Sequence, residues 1–246
     1  MRITLFYFSG TGNTKAVCDA FKIKMERENA RVSIINVEKH GQGNDSQVKD
    51  LIRNTDVFGF AYPVFGADLP RIYKDFLIGL QGSQFNNREA FVITTVGYIN
   101  AYGPFLMKKE LKKLGLLLKN HIVLRMPNST KRITQYDNAR SECLVKQDSR
   151  ITRLVGDILY HRKHISGVGP WVLGGYVVRK VLGKQMKEHY KRWYVDTGLC
   201  IDCGQCLGNC PVQAIRSNGG EYSFSDTCIT CFRCLHFCPV QAIKMK

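Results

Sequence analysis

Two periodicities of apolar and polar positions alternate along the first part of the chain. Short runs rich in β-branched and aromatic residues are followed by longer stretches whose apolar positions recur at helical spacing. Residues 2–8 form the first run, and residues 15–25 form the first helical stretch, in which Val17, Phe21 and Met25 share one face. Strands that alternate with helices predict a parallel sheet covered by helices on both faces.

The same alternation continues to residue 165. It predicts further strands at 31–37, 56–62, 90–96 and 121–126, and helices near 46–53, 70–80, 104–118 and 149–164. Five such strands fit the doubly wound order 2-1-3-4-5, in which a ligand binds at the strand ends where the order reverses. The sequence therefore predicts an α/β domain over residues 1–165.

A glycine-rich turn joins the first predicted strand to the first predicted helix. It consists of Ser9, Gly10, Thr11, Gly12, Asn13 and Thr14. The glycines permit tight backbone turns, and the hydroxyl groups together with the free N–H groups of a helix N-terminus suit a phosphate. The spacing matches neither the Walker motif nor the Rossmann dinucleotide fingerprint. The turn predicts a phosphate site of another kind, and a glycine turn that binds nothing is the alternative.

Two copies of a four-cysteine run occupy the C-terminal part of the chain. Residues 200–211 read CIDCGQCLGNCP and residues 228–239 read CITCFRCLHFCP. Equivalent positions lie twenty-eight residues apart, and PVQAI closes both copies, so the segment is an internal duplication. The spacing C-x2-C-x2-C-x3-C-P is that of bacterial iron–sulfur proteins, in which the fourth cysteine of each run ligates the other cluster.

This crossed pattern assigns eight cysteines to two [4Fe-4S] clusters. One predicted ligand set is Cys200, Cys203, Cys206 and Cys238, and the other is Cys228, Cys231, Cys234 and Cys210. Zinc is the first alternative, although zinc sites typically take two C-x2-C pairs and would leave cysteines over. Disulfides are the second alternative, but clustered thiols in a chain without a secretory signal indicate metal binding.

The last fifty residues or so resemble the bacterial two-[4Fe-4S] ferredoxins, and residues 1–165 resemble the flavodoxin family. The second resemblance depends on the turn SGTGNT and on two loops rich in glycine and aromatic residues, YPVFG at 62–66 and TVGYINAYG at 95–103. It implies that the turn holds the phosphate of FMN and that the two loops flank the isoalloxazine ring. The implied loop contacts are Tyr62, Pro63, Val64, Phe65, Gly66, Thr95, Val96, Gly97, Tyr98, Tyr102 and Gly103.

Two roles within these loops follow from the same resemblance. Gly66 is the candidate for a peptide that changes conformation beside the flavin, because glycine accepts either backbone state cheaply. Phe65, Tyr98 and Tyr102 are the candidates for stacking on the ring, and ordinary packing is the alternative for each.

Residues 166–192 connect the α/β domain to the cysteine-rich domain at 193–246. The connector is uncharged from 166 to 178, and from 179 to 192 it carries six basic residues and one acidic residue. Packing between the domains, with a solvated basic segment, is the plainest interpretation. Docking to an anionic membrane surface or to an acidic protein are the alternatives.

The formal net charge of +16 is concentrated in one part of the chain. Residues 101–192 hold twenty basic and six acidic side chains, whereas residues 193–246 hold four of each. Bound clusters and a flavin phosphate would make the cofactor-bearing parts more negative. The basic segment favours acidic redox partners such as a ferredoxin or a flavoprotein.

As a whole, the chain resembles flavodoxin–ferredoxin fusion proteins. The resemblance implies electron transfer between clusters, which carry single electrons, and FMN, which holds one or two. A reductase that passes hydride to a quinone or an enone over Tyr98, Asn100 and Tyr102 is the alternative, and a redox sensor is a third hypothesis. The sequence contains no nucleic-acid motif and no nucleophilic triad. Without a signal peptide or an apolar stretch of spanning length, a cytoplasmic location is expected.

Overall fold

The computed structural model describes residues 1–41, 45–97, 103–130, 136–167, 179, 181 and 188–246. The α/β domain contains the strands β1 (Arg2–Tyr7), β2 (Arg31–Asn36), β3 (Val57–Pro63), β4 (Glu89–Val96), β5 (Leu117–Arg125) and β6 (His164–Ile165). Its helices are α1 (Asn13–Arg27), α2 (Ser46–Arg53), α3 (Arg71–Gly79), α4 (Gly103–Lys113) and α5 (Tyr136–Leu159).

The strands form one parallel sheet in the order β2-β1-β3-β4-β5-β6. The first five follow the predicted order 2-1-3-4-5, so the flavodoxin-like doubly wound fold is confirmed. β6 is a short addition that pairs with Asn120 and His121 of β5. Because the strands are parallel, the turn after β1 and the loops after β3 and β4 all lie at one edge of the sheet.

Two buried clusters cover the two faces of this sheet. Leu5 points into the cluster beneath α1 and α5, and the next residue, Phe6, points into the cluster beneath α2, α3 and α4. Aromatic rings fill both layers, with Phe6 lying 5.2 Å from Phe76 and Phe21 lying 4.9 Å from Phe91 between ring centroids. Burial on both faces explains why the strands read as almost continuous apolar runs.

Two helix boundaries differ from the prediction. α4 ends at Lys113 rather than near residue 118, because Gly115 adopts a left-handed φ of +71° and Leu117 already pairs with Glu89 in the sheet. α5 begins at Tyr136 rather than near residue 149. The first half of α5 is mostly polar, so apolar periodicity gives little signal there.

The C-terminal domain is a small α+β unit. Its strands are β7 (Trp193–Val195), β8 (Ile215–Asn218), β9 (Glu221–Phe224) and β10 (Ile243–Met245), which form the antiparallel pairs β7–β10 and β8–β9. Two short helices, α6 (Gln205–Gly208) and α7 (Arg233–Phe237), each contain the third cysteine of one run. The duplication in the sequence is therefore also a duplication in the structure.

Most of the connector at 166–192 falls outside the described residues. In the parts that the structure describes, no helix combines the length and the apolar character that crossing a membrane requires.

Candidate functional site

The eight cysteines of the two runs line two separate cavities in the C-terminal domain. The first cluster cavity is lined by Cys200, Cys203, Cys206 and Cys238. The second cluster cavity is lined by Cys210, Cys228, Cys231 and Cys234. Each cavity takes three cysteines from one run and the fourth from the other. This is the crossed grouping that the sequence predicts, and ligation of the clusters stays a prediction.

The backbone around the two cavities repeats in detail. Gly204 and Phe232, with φ of +67° and +60°, are both left-handed and stand directly before α6 and α7. The amide of Ala214 donates to Sγ of Cys210, and the amide of Ala242 donates to Sγ of Cys238, both at 3.2 Å. Amide donors to a cysteine sulfur stabilise thiolate charge and tune the potential of a bound cluster.

Burial makes the thiols of the second cluster cavity weak acids. Desolvation raises the pKa of Cys231 to about 12, and it also raises the pKa values of Cys228 and Cys234. Because iron binds the thiolate, cluster assembly has to displace these protons. In this buried position, the iron atoms of a bound cluster would supply the positive charge that stabilises the thiolates.

A single metal ion is not what this arrangement resembles. Across the described residues, no three His, Cys, Asp or Glu side chains converge as the ligands of one ion do. A [4Fe-4S] cubane spreads four thiolates over its iron atoms, so its ligands need no such convergence.

The glycine turn at residues 9–14 lies at the edge of the sheet where the parallel strands end. Gly12 has a φ of +93° and precedes α1, and as a glycine at the N-cap it offers no side chain to the first N–H groups of that helix. The hydroxyl of Ser9 is buried and has no hydrogen-bond partner among the described residues. Free amide donors, the positive end of a helix and a buried unpaired hydroxyl fit a phosphate group.

A cavity, here called the large cavity, opens beside this turn. The residues of the three predicted loops that line it are Ser9, Gly10, Thr11, Asn13, Thr14, Pro63, Val64, Phe65, Gly66, Thr95, Val96 and Gly97. The fold thus brings together three loops that are far apart in the sequence.

Some predicted contacts lie elsewhere. The side chain of Tyr62 is 1% exposed and packs against Tyr73 at 5.3 Å between ring centroids, so it faces the core instead of the large cavity. The reason is the pleat, because Tyr62 still belongs to β3 and alternate strand residues point to opposite faces. Gly103 begins α4, and Tyr98, Asn100 and Tyr102 lie outside the described residues.

Gly66 stands in a tight turn between β3 and α3. Phe65 and Asp68 exchange backbone hydrogen bonds of 3.1 and 3.0 Å, and Gly66 and Ala67 have φ values of +55° and +62°. Two central residues with positive φ define a type I′ turn. Phe65 and Gly66 both line the large cavity. Stacking by Phe65 and a conformational change of the Gly66 peptide stay predictions for a flavin ring bound there.

Sequence reasoning missed one side of the large cavity. Asn128, Ser129 and Thr130 line it from the segment after β5, and His189, Thr230 and Phe232 line it from the C-terminal part of the chain. The segment after β5 could have been found, because the carboxyl ends of all parallel strands share one edge. The contribution of the second cysteine run has no local signal in the sequence.

Arg140 of α5 is another residue that the sequence does not reveal. Its guanidinium donates to the carbonyl oxygen of Thr11 at 2.9 Å and to Oδ1 of Asn13 at 3.3 Å, and it lies 5.4 Å from the ring of Tyr136. The hydroxyl of Tyr136 accepts a 2.9 Å hydrogen bond from the Asn13 amide. These contacts fix the turn and bring a permanent positive charge beside the predicted phosphate position.

A buried polar chain crosses the sheet behind the large cavity. Nδ1 of His121 donates to the carbonyl oxygen of Ser166 at 2.8 Å, so Nε2 accepts from the hydroxyl of Thr94, also at 2.8 Å. Thr94 is hydrogen-bonded in turn to the side chain of Tyr62. Burial lowers the pKa of His121 to about 4, so the ring is neutral at pH 7.

The second cysteine run contacts the glycine turn directly. Arg233 donates from Nη2 to the carbonyl oxygen of Ser9 at 2.6 Å and from Nε to that of Gly10 at 2.9 Å. Its guanidinium also pairs with both carboxylate oxygens of Glu38, at 2.8 and 2.5 Å. Nε2 of His236 donates to the carbonyl oxygen of Ser129 at 2.9 Å. The two domains are therefore joined at the predicted phosphate site.

Comparison with known proteins supports this description. The family described as "4Fe-4S dicluster domain" matches residues 194–245. No curated protein matches the chain significantly.

The solved structures that are similar to the α/β domain at low identity include three proteins. Smu.1420 from Streptococcus mutans UA159 is 18% identical, with 62% of this chain and 100% of that protein covered and a TM-score of 0.48. A flavodoxin from the domain Archaea is 18% identical, with 63% and 99% covered and a TM-score of 0.44. The NAD(P)H:quinone oxidoreductase from Methanothermobacter marburgensis is 14% identical, with 67% and 98% covered and a TM-score of 0.47.

The strand order and the family match define the class of protein. The N-terminal part has a flavodoxin-like fold, and the C-terminal part is a 4Fe-4S dicluster domain. This combination resembles flavodoxin–ferredoxin fusion proteins, and the dicluster domain is of the iron–sulfur type.

Proposed function

We propose that the chain transfers electrons between two [4Fe-4S] clusters and FMN, and so links one-electron carriers to a flavin that holds two electrons. One observation carries the proposal. Thr230 and Phe232 line both the large cavity and the second cluster cavity. The same two residues thus separate the predicted flavin site from a predicted cluster site, and electron transfer is fastest between cofactors that lie close together.

The residues of the large cavity would hold FMN in two parts. The Ser9 hydroxyl and the free amides at the start of α1 would bind the phosphate, with Arg140 adding positive charge. Phe65 and Gly66 would border the ring on one side, and residues 95–97 on the other. When bound, FMN supplies chemistry of one or two electrons, whereas each cluster supplies one. Full reduction of FMN balances with two single electrons from a low-potential carrier and two protons from water.

The proposed partner is an acidic one-electron carrier in the cytoplasm, such as a ferredoxin or a flavoprotein. Support comes from the basic surplus of residues 101–192, which contain twenty basic and six acidic side chains. A positive surface accelerates association with an acidic partner, and salt weakens that attraction. Association that does not change between low and high salt would contradict an electrostatic partner site.

Anaerobic purification tests the proposed function. We expect stoichiometric iron, acid-labile sulfide and FMN, and an EPR-monitored redox titration that resolves two clusters and one flavin. Chemical reduction of the clusters should then reduce the bound flavin within the same molecule. Oxygen-free protein that lacks iron, sulfide or flavin, or cofactors that are reduced independently on slow timescales, would contradict the proposal.

A second candidate function is reduction of a small acceptor such as a quinone or an enone. It is favoured by another cavity that shares Phe65 and Gly66 with the large cavity and reaches Cys228. A small molecule in this cavity would lie beside the predicted ring position. Steady-state turnover of such an acceptor, lost on removal of FMN but retained without any protein acceptor, would favour this function.

A further inference from the structure

We propose that the cluster held by Cys210, Cys228, Cys231 and Cys234 is the one that exchanges electrons with the flavin, and that Arg233 is the positioning residue that keeps it there. The inference rests on the proposed function and adds the order in which electrons pass through the two clusters. In this order, the cluster of the first cavity receives electrons from outside, and the cluster of the second cavity passes them to the flavin.

The internal duplication shows which run is specialised. Arg233, Phe232 and His236 of the second run correspond to Gln205, Gly204 and Gly208 of the first run. Arg233 and His236 bond to the α/β domain and Phe232 lines the large cavity, whereas Gln205 is exposed to solvent. The repeat is therefore broken at the positions where the second run meets the predicted flavin site.

Arg233 is built into this contact rather than resting on a surface. Its side chain and that of Glu38 are only 15% and 16% exposed. The guanidinium donates to two carbonyl oxygens of the glycine turn, to one carboxylate and to the carbonyl oxygen of Asn209, which uses all five of its donors. Removing one partner of such a largely buried ion pair leaves the charge of the other partner poorly solvated. Arg233 therefore fixes the distance between its own cysteine run and the turn.

Phe232 forms the wall between the two predicted cofactor sites. A bulky residue at φ +60° is strained, and the equivalent position in the first run is a glycine. The ring is 7% exposed and lies 5.4 Å from the ring of Trp193 between centroids. The strained aromatic is kept only in the run that faces the flavin site.

The first cluster cavity is separate from the predicted flavin site. Within the described residues, its lining shares no member with the lining of the large cavity. Cys203 is exposed, and its neighbour Ile201 is 61% exposed. This cavity is thus open to an external carrier but has no contact with the predicted flavin site.

The test compares two variants at equivalent positions of the repeat in the anaerobic holoprotein. Arg233→Gln introduces the residue of the first run, and Gln205→Ala is the matched control beside the other cluster. We expect Arg233→Gln to slow cluster-to-flavin electron transfer at least about tenfold, with the midpoint potentials of the cofactors unchanged. Hydrogen–deuterium exchange of residues 9–12 should rise in the same variant. Gln205→Ala should behave like the parent protein in both measurements.

Two further variants keep the test decisive. Glu38→Gln removes the carboxylate that pairs with Arg233 and leaves both cysteine runs unchanged. Should Arg233→Gln fail to assemble its cluster, the rate of cluster-to-flavin transfer in Glu38→Gln decides whether the contact positions that cluster. Arg233→Lys should restore part of the lost rate, because it retains the charge but not the planar donors. Should Glu38→Gln and Arg233→Gln each transfer electrons from cluster to flavin as fast as the parent protein, the inference would be overturned. A parent protein without flavin or iron would instead overturn the proposed function.

Discussion

The carbonyl oxygen of Cys231 lies 2.6 Å from the position that a Cβ atom would occupy on Gly10. A predicted cluster ligand and the predicted phosphate turn are therefore in direct backbone contact, although more than two hundred residues separate them in the sequence. Only glycine fits at this position, since even one methyl group would meet the neighbouring backbone. The close approach makes the domain contact sensitive to a single carbon atom.

Gly10→Ala should loosen this contact. The added methyl group meets a backbone oxygen, which cannot move aside as a flexible side chain could, and overpacking of this kind typically costs about 1–3 kcal/mol. We expect weaker FMN binding and a lower free energy of unfolding, measured by flavin fluorescence titration and by denaturant unfolding. Gly208→Ala is the control, since nothing lies within 4 Å of its Cβ position. Equal effects of the two substitutions would contradict the interpretation.

Ser9→Ala should separate flavin binding from stability. The buried hydroxyl has no partner among the described residues, and an unpaired buried polar group costs about 1–3 kcal/mol. The flavin-free protein should therefore become slightly more stable, while FMN affinity falls about tenfold, or about 1.4 kcal/mol. Ser141→Ala, at an exposed position on α5, should change neither quantity. A loss of stability without a loss of affinity would argue against a phosphate at Ser9.

Stability should decrease as the pH falls below neutrality, because of His121. Its pKa is about 4 in the folded protein and about 6.5 in an unfolded chain, so the unfolded state binds the extra proton first. The free energy of unfolding should fall by about 1 kcal/mol between pH 7 and pH 5.5 through this group alone. His121→Asn should flatten that slope in denaturant titrations at several pH values.

Cysteine substitutions should reveal the crossed ligation. If each cavity holds one cluster, Cys238→Ser and Cys206→Ser should remove the same EPR signal, although they lie in different runs. Cys210→Ser and Cys234→Ser should remove the other signal. Each variant should retain about half of the iron of the parent protein. Cys143→Ser on α5 should retain all of the iron. Loss of one EPR signal by all variants of the same cysteine run, instead of by the variants that line the same cavity, would refute the assignment.

Local pattern was sufficient for much of the fold. Runs such as residues 90–96 read as buried strands because both faces of a parallel sheet are covered, and α1 shows its apolar face in Val17, Phe21 and Met25. The polar first half of α5 was missed, because no apolar periodicity marks it. Tyr62 was predicted both to end a strand and to flank the flavin ring, but the pleat of β3 turns its side chain into the core.

The sequence by itself determined the chemistry that this protein can perform. The spacing of its thiols and the glycine turn after the first strand are local features, and local spacing sets which ligands can reach one cluster or one phosphate. Only the tertiary structure decided which cysteine run meets the turn, through contacts of Arg233 with Ser9, Gly10 and Glu38. Such contacts join residues distant along the chain, and they form only when two separately folded surfaces match in shape and charge. No short-range pattern can specify that match.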